Sequence, residues 1–200
     1  MEIRRRGDET YFFYEISGFL TPKECKELIE VAQRAGLSKS EIYGADTDTV
    51  DNSSRLSYTV WLKTSAHPVV SKISKLTEAI SGLPEENQEE LQVVHYPEGG
   101  FFNPHFDCCD GGPKECNRMN SMGGPRHMTI IIYLNDEYTG GETAFPNLNL
   151  SIRPEVGKAG IFWSTDKDNG VVQQSFHGGN PVRGGEKWIC NKWVHPQPYR

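Results

Sequence analysis

"EKWICNKWV", residues Glu186 to Val194, reads as a β-strand in which Lys187, Ile189, Asn191 and Trp193 share one face and Trp188 and Cys190 the other, because successive side chains of a strand point to opposite sides. Lysine is rarely buried without a partner. A lysine in line with isoleucine and tryptophan therefore places a cation on an inward face and invites an anion opposite it. From Leu91 onward the same texture recurs. "LQVVHY", "HMTIIIYL", "ETAF", "LNLSI", "AGIFWS" and "QSFHGG" are short β-rich runs separated by Gly, Pro, Asn and Asp clusters. Such spacing predicts an all-β barrel or a two-sheet jelly roll.

The residues before Leu91 carry helical signals. "TPKECKELIEVAQRAG" opens on Thr21 as N-cap, with Pro22 at the first helical position and Glu24 completing a capping box. Cys25, Leu28, Ile29 and Ala32 make an apolar stripe that Gly36 ends. A second helix is predicted over Pro68 to Ile80, with Val69, Val70, Ile73, Leu76 and Ile80 as its stripe and Gly82 behind it. Between the helices, "SSRLSYTVWL" (Ser53 to Leu62) reads as one strand. The expected class is α+β, mainly β: one domain over residues 1–200, with a helical N-terminal part over about 1–90 supporting a jelly-roll core over about 91–200. The 20 glycines and 12 prolines favour short strands and tight turns over a helix bundle.

A net charge of −6 argues against nucleic acid as a partner. No apolar run approaches the roughly 18 residues that cross a bilayer, so no membrane partner is expected. "MEIRRRGDETYFFYE" starts basic but has no apolar segment behind it, so no signal peptide is read and a cytoplasmic location is expected. Arg4, Arg5 and Arg6 read as a solvated terminus. Five cysteines without regular spacing do not form a disulfide framework. A bridge from Cys116 to Cys108 or Cys109 stays open.

"NPHFDCCDGG" (Asn103 to Gly112) concentrates residue types that bind metals. Pro104 biases Asn103 toward extended backbone, and in a strand His105 and Asp107 share one face. An imidazole and a carboxylate can then meet one ion. A zinc site from His105, Cys108, Cys109 and Cys116 fits poorly, because adjacent cysteines do not easily turn toward one tetrahedral centre. A facial site needs a further histidine from a distant strand, and His177 in "SFHGGNPVRGGEKWICNKW" stands ten residues before Lys187. Two histidines and one carboxylate with open positions are the arrangement of non-haem Fe(II) oxygenases.

Taken together, these segments resemble the Fe(II)/2-oxoglutarate-dependent dioxygenases and, within them, the prolyl 4-hydroxylase family, from about Phe13 to Tyr199. "GFLTPKECKELIE" is similar to the family's entry helix and "SSRLSYTVWL" to its Arg-x-Ser strand. "YPEGGFFNPHFD" follows its Tyr-x-x-Gly-x-x-aromatic-x-x-His-x-Asp pattern. "MTIIIYLNDEYTGGETAFP" and "SFHGGNPVRGGEKWICNKWVH" resemble its central strand and its distal His, Lys and Trp segment.

The resemblance implies that His105, Asp107 and His177 are iron ligands, and that Lys187 meets the far carboxylate of 2-oxoglutarate. It implies that Tyr96 lines the cosubstrate pocket, with Thr129 and Tyr133 as candidates for hydrogen bonds to 2-oxoglutarate. Trp193 and His195 match residues near the active site and the substrate groove, although a strand Trp is often core and a C-terminal His often surface. The implied activity is hydroxylation of peptidyl proline at C4, using Fe(II), 2-oxoglutarate, O₂ and ascorbate, with succinate and CO₂ as co-products. The implied partner is a proline-containing peptide or protein. A 2-oxoglutarate oxygenase acting on another residue or on a free small molecule is the alternative. A metal-dependent hydrolase or a noncatalytic metal-binding jelly roll has no use for the Lys187 and Tyr96 pair. The loops from Tyr43 to Ser54 and from Asp110 to Arg126 are the candidates for substrate choice.

Overall fold

Thr21 and Glu24 form the capping box. The Glu24 N–H donates to the Thr21 hydroxyl at 3.3 Å and the Thr21 N–H donates to Glu24 Oε2 at 2.8 Å. Helix α1 then runs Pro22–Ala35 and buries Cys25, Leu28 and Ala32. Helix α2 spans Pro68–Ser81 and buries Val69, Val70 and Ile73. The strands are β1 (Glu2–Gly7), β2 (Phe12–Ser17), β3 (Ser38–Lys39), β4 (Arg55–Leu56), β5 (Tyr58–Leu62), β6 (Leu91–Tyr96), β7 (Phe101–His105) and β8 (Met128–Tyr133), followed by β9 (Thr139–Gly140), β10 (Thr143–Phe145), β11 (Leu150–Ile152), β12 (Ala159–Trp163), β13 (His177–Gly179), β14 (Val182–Gly184) and β15 (Lys187–Val194). This computed structural model describes residues 2–41, 53–109, 111, 116–117 and 120–199.

An eight-stranded sheet has the order β1-β2-β12-β8-β15-β6-β5-β3, and a five-stranded sheet the order β11-β10-β13-β7-β4. Alternation along the central strands sorts side chains into two cores. Ile130, Ile132, Trp188 and Cys190 join Leu28, Ala32, Val70 and Ile73 beneath the helices. Ile131, Tyr133 and Ile189 join Phe145, Ile152 and Phe162 between the sheets. Strand β8 is buried at every position. That explains why "MTIIIY" shows so little apolar–polar alternation: both of its faces are covered. The two sheets and two helices form the double-stranded β-helix architecture expected from the spacing of the β-rich runs.

Two expectations change. The N-terminal part is not only helical: β1 and β2 extend the large sheet through the β2–β12 pairing. Phe13 of β2 is fully buried and stacks on Phe145, with ring centroids 4.9 Å apart. Arg4, Arg5 and Arg6 lie on β1, where Arg4 and Arg5 are solvent-exposed as expected and Arg6 is half-buried. Arg6 pairs with Glu15 at 2.8 Å, and Arg5 stands over the Phe12 ring at 4.1 Å. "SSRLSYTVWL" is also not one strand. Arg55–Leu56 pairs with β7 in the small sheet, whereas Tyr58–Leu62 pairs with β6 in the large one. The chain changes sheets at Ser57, whose buried hydroxyl accepts from Arg55 Nε at 2.6 Å and donates to Ser40 at 2.8 Å. Among the described residues no helix is long and apolar enough to cross a membrane.

Because Phe13 is an inter-sheet core residue, Phe13→Ala should lower unfolding free energy by about 3–5 kcal/mol. Urea denaturation checks this. A loss below about 1 kcal/mol would show that β2 is a peripheral attachment.

Candidate active site

His105 ends β7 and His177 opens β13, and the antiparallel register sets these two residues opposite each other. Each ring is oriented by a nearby carbonyl. His105 Nδ1 lies 2.8 Å from Asn103 O, and His177 Nδ1 lies 2.8 Å from Ser175 O. A carbonyl only accepts, so each Nδ1 carries the proton and each Nε2 keeps its lone pair for a metal. Both Nε2 atoms face Asp107: His105 Nε2 is 3.7 Å from Oδ1, and His177 Nε2 is 3.8 Å from Oδ2. One ligand atom from each of the three residues falls within 4.8 Å of the others. An ion at about 2.0–2.2 Å from each donor can bridge that spacing. Asp107 lies in a bend just past β7, so its carboxylate reaches the site because the strand has ended rather than by continued alternation.

Asp107 is 5% exposed. Burial alone would raise its pKa, but His177 and His105 hold it far below the usual carboxylate range. Thr129 donates to Asp107 Oδ2 at 2.6 Å. Burial pushes His177 down to about 4, so its imidazole is neutral at physiological pH. A deprotonated carboxylate and neutral imidazoles are the forms that ligate a metal. The His105 ring is held on its other side by Phe102, stacked at 3.7 Å, with the Arg55 guanidinium 4.5 Å from the Phe102 ring centroid.

Lys187 is 2% exposed, and its Nζ donates to Gly141 O at 2.7 Å. The Nζ stands 5.0 Å from the Tyr96 ring centroid and 5.7 Å from that of Tyr133. Among the described residues no carboxylate lies within ion-pair distance of it. Burial pushes its pKa down to about 7, opposed by the field of Glu142. A Cβ placed on Gly179, two residues after His177, would come within 3.8 Å of Nζ.

His105, Asp107, His177, Lys187, Tyr96, Thr129 and Trp193 all line one cleft of about 730 Å³, a size typical of small-molecule sites. Two expected roles shift. Thr129 spends its hydroxyl on Asp107, which makes it a holder of the metal ligand. Tyr133 donates its hydroxyl to Thr143 Oγ1 at 2.6 Å, so its side chain braces Thr143, which does line the cleft. Trp193 lies six residues along β15 from Lys187, roughly 20 Å at strand rise, and pairs with Thr129. Its ring sits between Arg126, at 3.7 Å, and Trp61, at 5.8 Å. It therefore lies away from the lysine end of the cleft. His195 is not a surface residue. It is buried, with Nδ1 2.8 Å from Gly124 O and Nε2 2.9 Å from Glu89 Oε1.

Glu89 and Arg126 carry no individual signal in the sequence. They form a bidentate pair, and Arg126 together with His195 holds the buried Glu89 down to about 2 against the effect of burial. Arg126 could be found only through the aromatic ring that it covers. Cys109 bridges Cys116 with a Cα–Cα distance of 5.3 Å, and Cys108 Sγ is directed to Ser164 O at 3.2 Å. Among the described residues no cysteine cluster for zinc results. Most of the Tyr43 to Ser54 loop, and residues 110, 112–115 and 118–119 of the second loop, lie outside the described residues.

The model of the 2OG-Fe(II) oxygenase superfamily matches residues 91–195. A protein of Acanthamoeba polyphaga mimivirus named as a prolyl 4-hydroxylase is 32% identical over 187 residues, covering 93% of this chain and 75% of that one. The crystal structure of the viral collagen prolyl hydroxylase of Paramecium bursaria Chlorella virus-1, in complex with 2OG, superposes with a TM-score of 0.75 at 30% identity over 91% of this chain and 94% of that one. A Trichoplax adhaerens prolyl hydroxylase in complex with a hypoxia inducible factor peptide fragment has a TM-score of 0.68 at 17% identity over 92% of this chain and 83% of that one, a likeness of fold.

His105→Ala, Asp107→Ala and His177→Ala should each abolish tight divalent-metal binding while circular dichroism stays that of the folded protein. Thr129→Val should weaken metal binding about 10- to 100-fold, as loss of an outer partner of a ligand does. Calorimetric titration with Fe(II) under anaerobic conditions, or with Co(II), measures both. A fully retained affinity in any of the three alanine variants would remove that residue from the ligand set.

Proposed function

Because the chain belongs to the 2OG-Fe(II) oxygenase superfamily and, within it, to the prolyl 4-hydroxylase family, we propose that it hydroxylates C4 of proline within a peptide or protein, with residues 1–200 working as one catalytic unit. It is an Fe(II)/2-oxoglutarate-dependent dioxygenase. The observation that carries the assignment of roles is Lys187, a buried lysine with no carboxylate in reach among the described residues, in the same cleft as the imidazoles of His105 and His177 and the carboxylate of Asp107. A dianionic cosubstrate that meets the metal at one end and lysine at the other supplies the missing charge.

In this reading His105, Asp107 and His177 hold Fe(II). The bound iron supplies dioxygen activation coupled to decarboxylation of 2-oxoglutarate to succinate and CO₂, with ascorbate as the family's reductant. The chain supplies position. Thr129 keeps Asp107 aimed at the ion, Phe102 and Arg55 keep the His105 ring in place, and Lys187 binds the far carboxylate as a point charge beside Tyr96 and Thr143. Burial of these groups excludes water from the reacting end. Trp61, Trp193, Arg126 and His195 line the same cleft, whose volume of about 730 Å³ exceeds what a five-carbon dicarboxylate fills. Aromatic-lined grooves suit extended proline-rich segments, whose low conformational freedom lowers the ordering cost of binding. The peptide held by the Trichoplax neighbour supports a peptide over a free small molecule.

Incubation with Fe(II), 2-oxoglutarate, ascorbate and a panel of proline-rich peptides should add one oxygen per site, found as 4-hydroxyproline by mass spectrometry and amino-acid analysis. Coupled turnover with a free metabolite and with no peptide would transfer the function to the alternative substrate class. Lys187→Ala should raise the KM for 2-oxoglutarate about 10²- to 10³-fold, since unpairing a buried charge costs roughly 3–5 kcal/mol, and should leave metal binding unchanged. Lys187→Arg should rescue only partly, because the planar fork needs different room. The lysine pKa of about 7 in the free protein also sets a sign. Above it the lysine is mostly neutral before cosubstrate arrives, and binding must take up a proton. Affinity for 2-oxoglutarate should therefore fall about tenfold per pH unit above that value. A flat anaerobic binding profile from pH 7 to 9 would show that Lys187 is not the anion's partner.

A further inference from the structure

We propose that Lys192 is a positioning residue for the cleft: it holds a β-bulge that turns Glu89 toward Arg126 and His195, and thereby sets affinity for the peptide. The peptide clause rests on the function proposed above, and the bulge clause stands on register and hydrogen bonds alone. "EKWICNKWV" contains a second lysine, on the face opposite Lys187. Lys187, Ile189, Asn191 and Trp193 line the cleft. By alternation Lys192 falls with Trp188, Cys190 and Val194, which pack beneath the helices. It is 1% exposed. Burial pushes its pKa down to about 8, opposed by the fields of Glu85, Glu89 and Glu90, so it is an ammonium at neutral pH. Among the described residues its Nζ has one hydrogen bond, donated to Glu89 O, and no carboxylate within ion-pair distance.

The β15–β6 ladder keeps one register from Lys187↔Tyr96 to Asn191↔Gln92. The next pairing is the bridge Val194↔Gln88. Between these two pairs β15 advances three residues and the facing chain four, so one extra residue is inserted just before β6. That is the count of a β-bulge. It reverses a face. In uniform alternation Glu89 would follow Leu91 and Val93, which pack beneath the helices. Glu89 instead lines the cleft with Gln92 and Tyr96. There its carboxylate accepts from Arg126 through both oxygens and lies 2.9 Å from His195 Nε2. Gln88 turns the other way and donates to Ser74 O of α2 at 3.1 Å. A bulge takes backbone groups out of the ladder, and a buried carbonyl left unpaired is costly. Consecutive residues of β15 supply the partners. Trp193 O accepts from the Glu89 N–H at 3.1 Å, and Lys192 Nζ donates to the Glu89 carbonyl. Lys192 thus fixes the backbone of the residue whose side chain fixes Arg126, and Arg126 covers the Trp193 ring at 3.7 Å. His105, His177 and Lys187 stand on β7, on β13 and on the opposite face of β15, so the metal and cosubstrate contacts do not depend on Lys192.

Lys192→Met removes the donor and keeps an unbranched stem. Hydrogen exchange of segments containing Glu89 should quicken by about tenfold. The KM for a hydroxylated peptide should rise about tenfold, the effect of losing a hydrogen bond from a charged donor. The kcat and the KM for 2-oxoglutarate should stay within about twofold, because no group that meets the cosubstrate is changed. On an Arg126→Ala background the same substitution should raise the peptide KM by less than about twofold further, since residues that act through one network do not add. A lysine that only stabilised the fold would leave the peptide KM unchanged on both backgrounds. Lys192→Gln, whose amide stands on a shorter stem, carries the same measurements if the methionine variant does not fold. Unchanged exchange at Glu89 overturns the proposal, as does faster exchange with an unchanged peptide KM, or a full effect of Lys192→Met on the Arg126→Ala background. Faster exchange in a protein that hydroxylates no peptide bears out the hold on the bulge and overturns the substrate reading.

Discussion

Strand β15 is buried on both of its faces, and the cleft depends on which residue lands on which. Trp188, Cys190 and Val194 pack beneath the helices, while Ile189 packs between the sheets and Lys187 turns into the cleft. The pairings Lys187↔Tyr96 and Trp193↔Thr129 set the lysine beside an aromatic ring at one end and the tryptophan near the metal ligands' support at the other. A slip of one residue would bring lysine under the helices and the cysteine into the cleft. The helical layer resists such a slip, because Leu28, Ala32, Val70 and Ile73 need apolar residues opposite them.

Within that frame, buried charge is treated in two ways. Glu89, Arg126 and His195 satisfy one another and line the cleft without a net demand on a ligand. Asp107 and Lys187 are only partly compensated. The carboxylate has one hydroxyl donor and two imidazoles at 3.7 and 3.8 Å, and the ammonium has one carbonyl. Buried ions are expensive unless paired. In the proposed reading their incomplete pairing is where a cation and an anion would be taken up, whereas the closed network of Glu89, Arg126 and His195 supports shape.

The rings of the candidate metal site are held from behind. Arg55 lies on Phe102 and Phe102 on His105, while Phe145 and Phe162 pack against His177 at 5.6 and 4.7 Å. A ligand set with open positions needs this support, because the ion itself restrains only one atom of each side chain. The Arg55 contribution depends on the change of sheet at Ser57. That change puts Arg55 into the small sheet beside β7 and leaves Trp61 in the large sheet, where it lines the cleft.

Much was legible along the chain. The capping box, the strand alternation in "EKWICNKWV" and the ordered His-x-Asp, His and Lys segments carry the jelly roll, the triad and the buried lysine, because each is a local pattern of short period. Tyr96 and His177 were legible through segment resemblance. Four features were decided only in three dimensions. The N-terminal strands join the sheet through Phe13, the Ser53 to Leu62 run divides between sheets, the Thr129 and Tyr133 hydroxyls are spent on Asp107 and Thr143, and Arg126 reaches Glu89 and His195. Each is a contact between residues distant in sequence. A polar group's local pattern tells which face it occupies, but its hydrogen-bond partner depends on which strand the tertiary fold lays beside it.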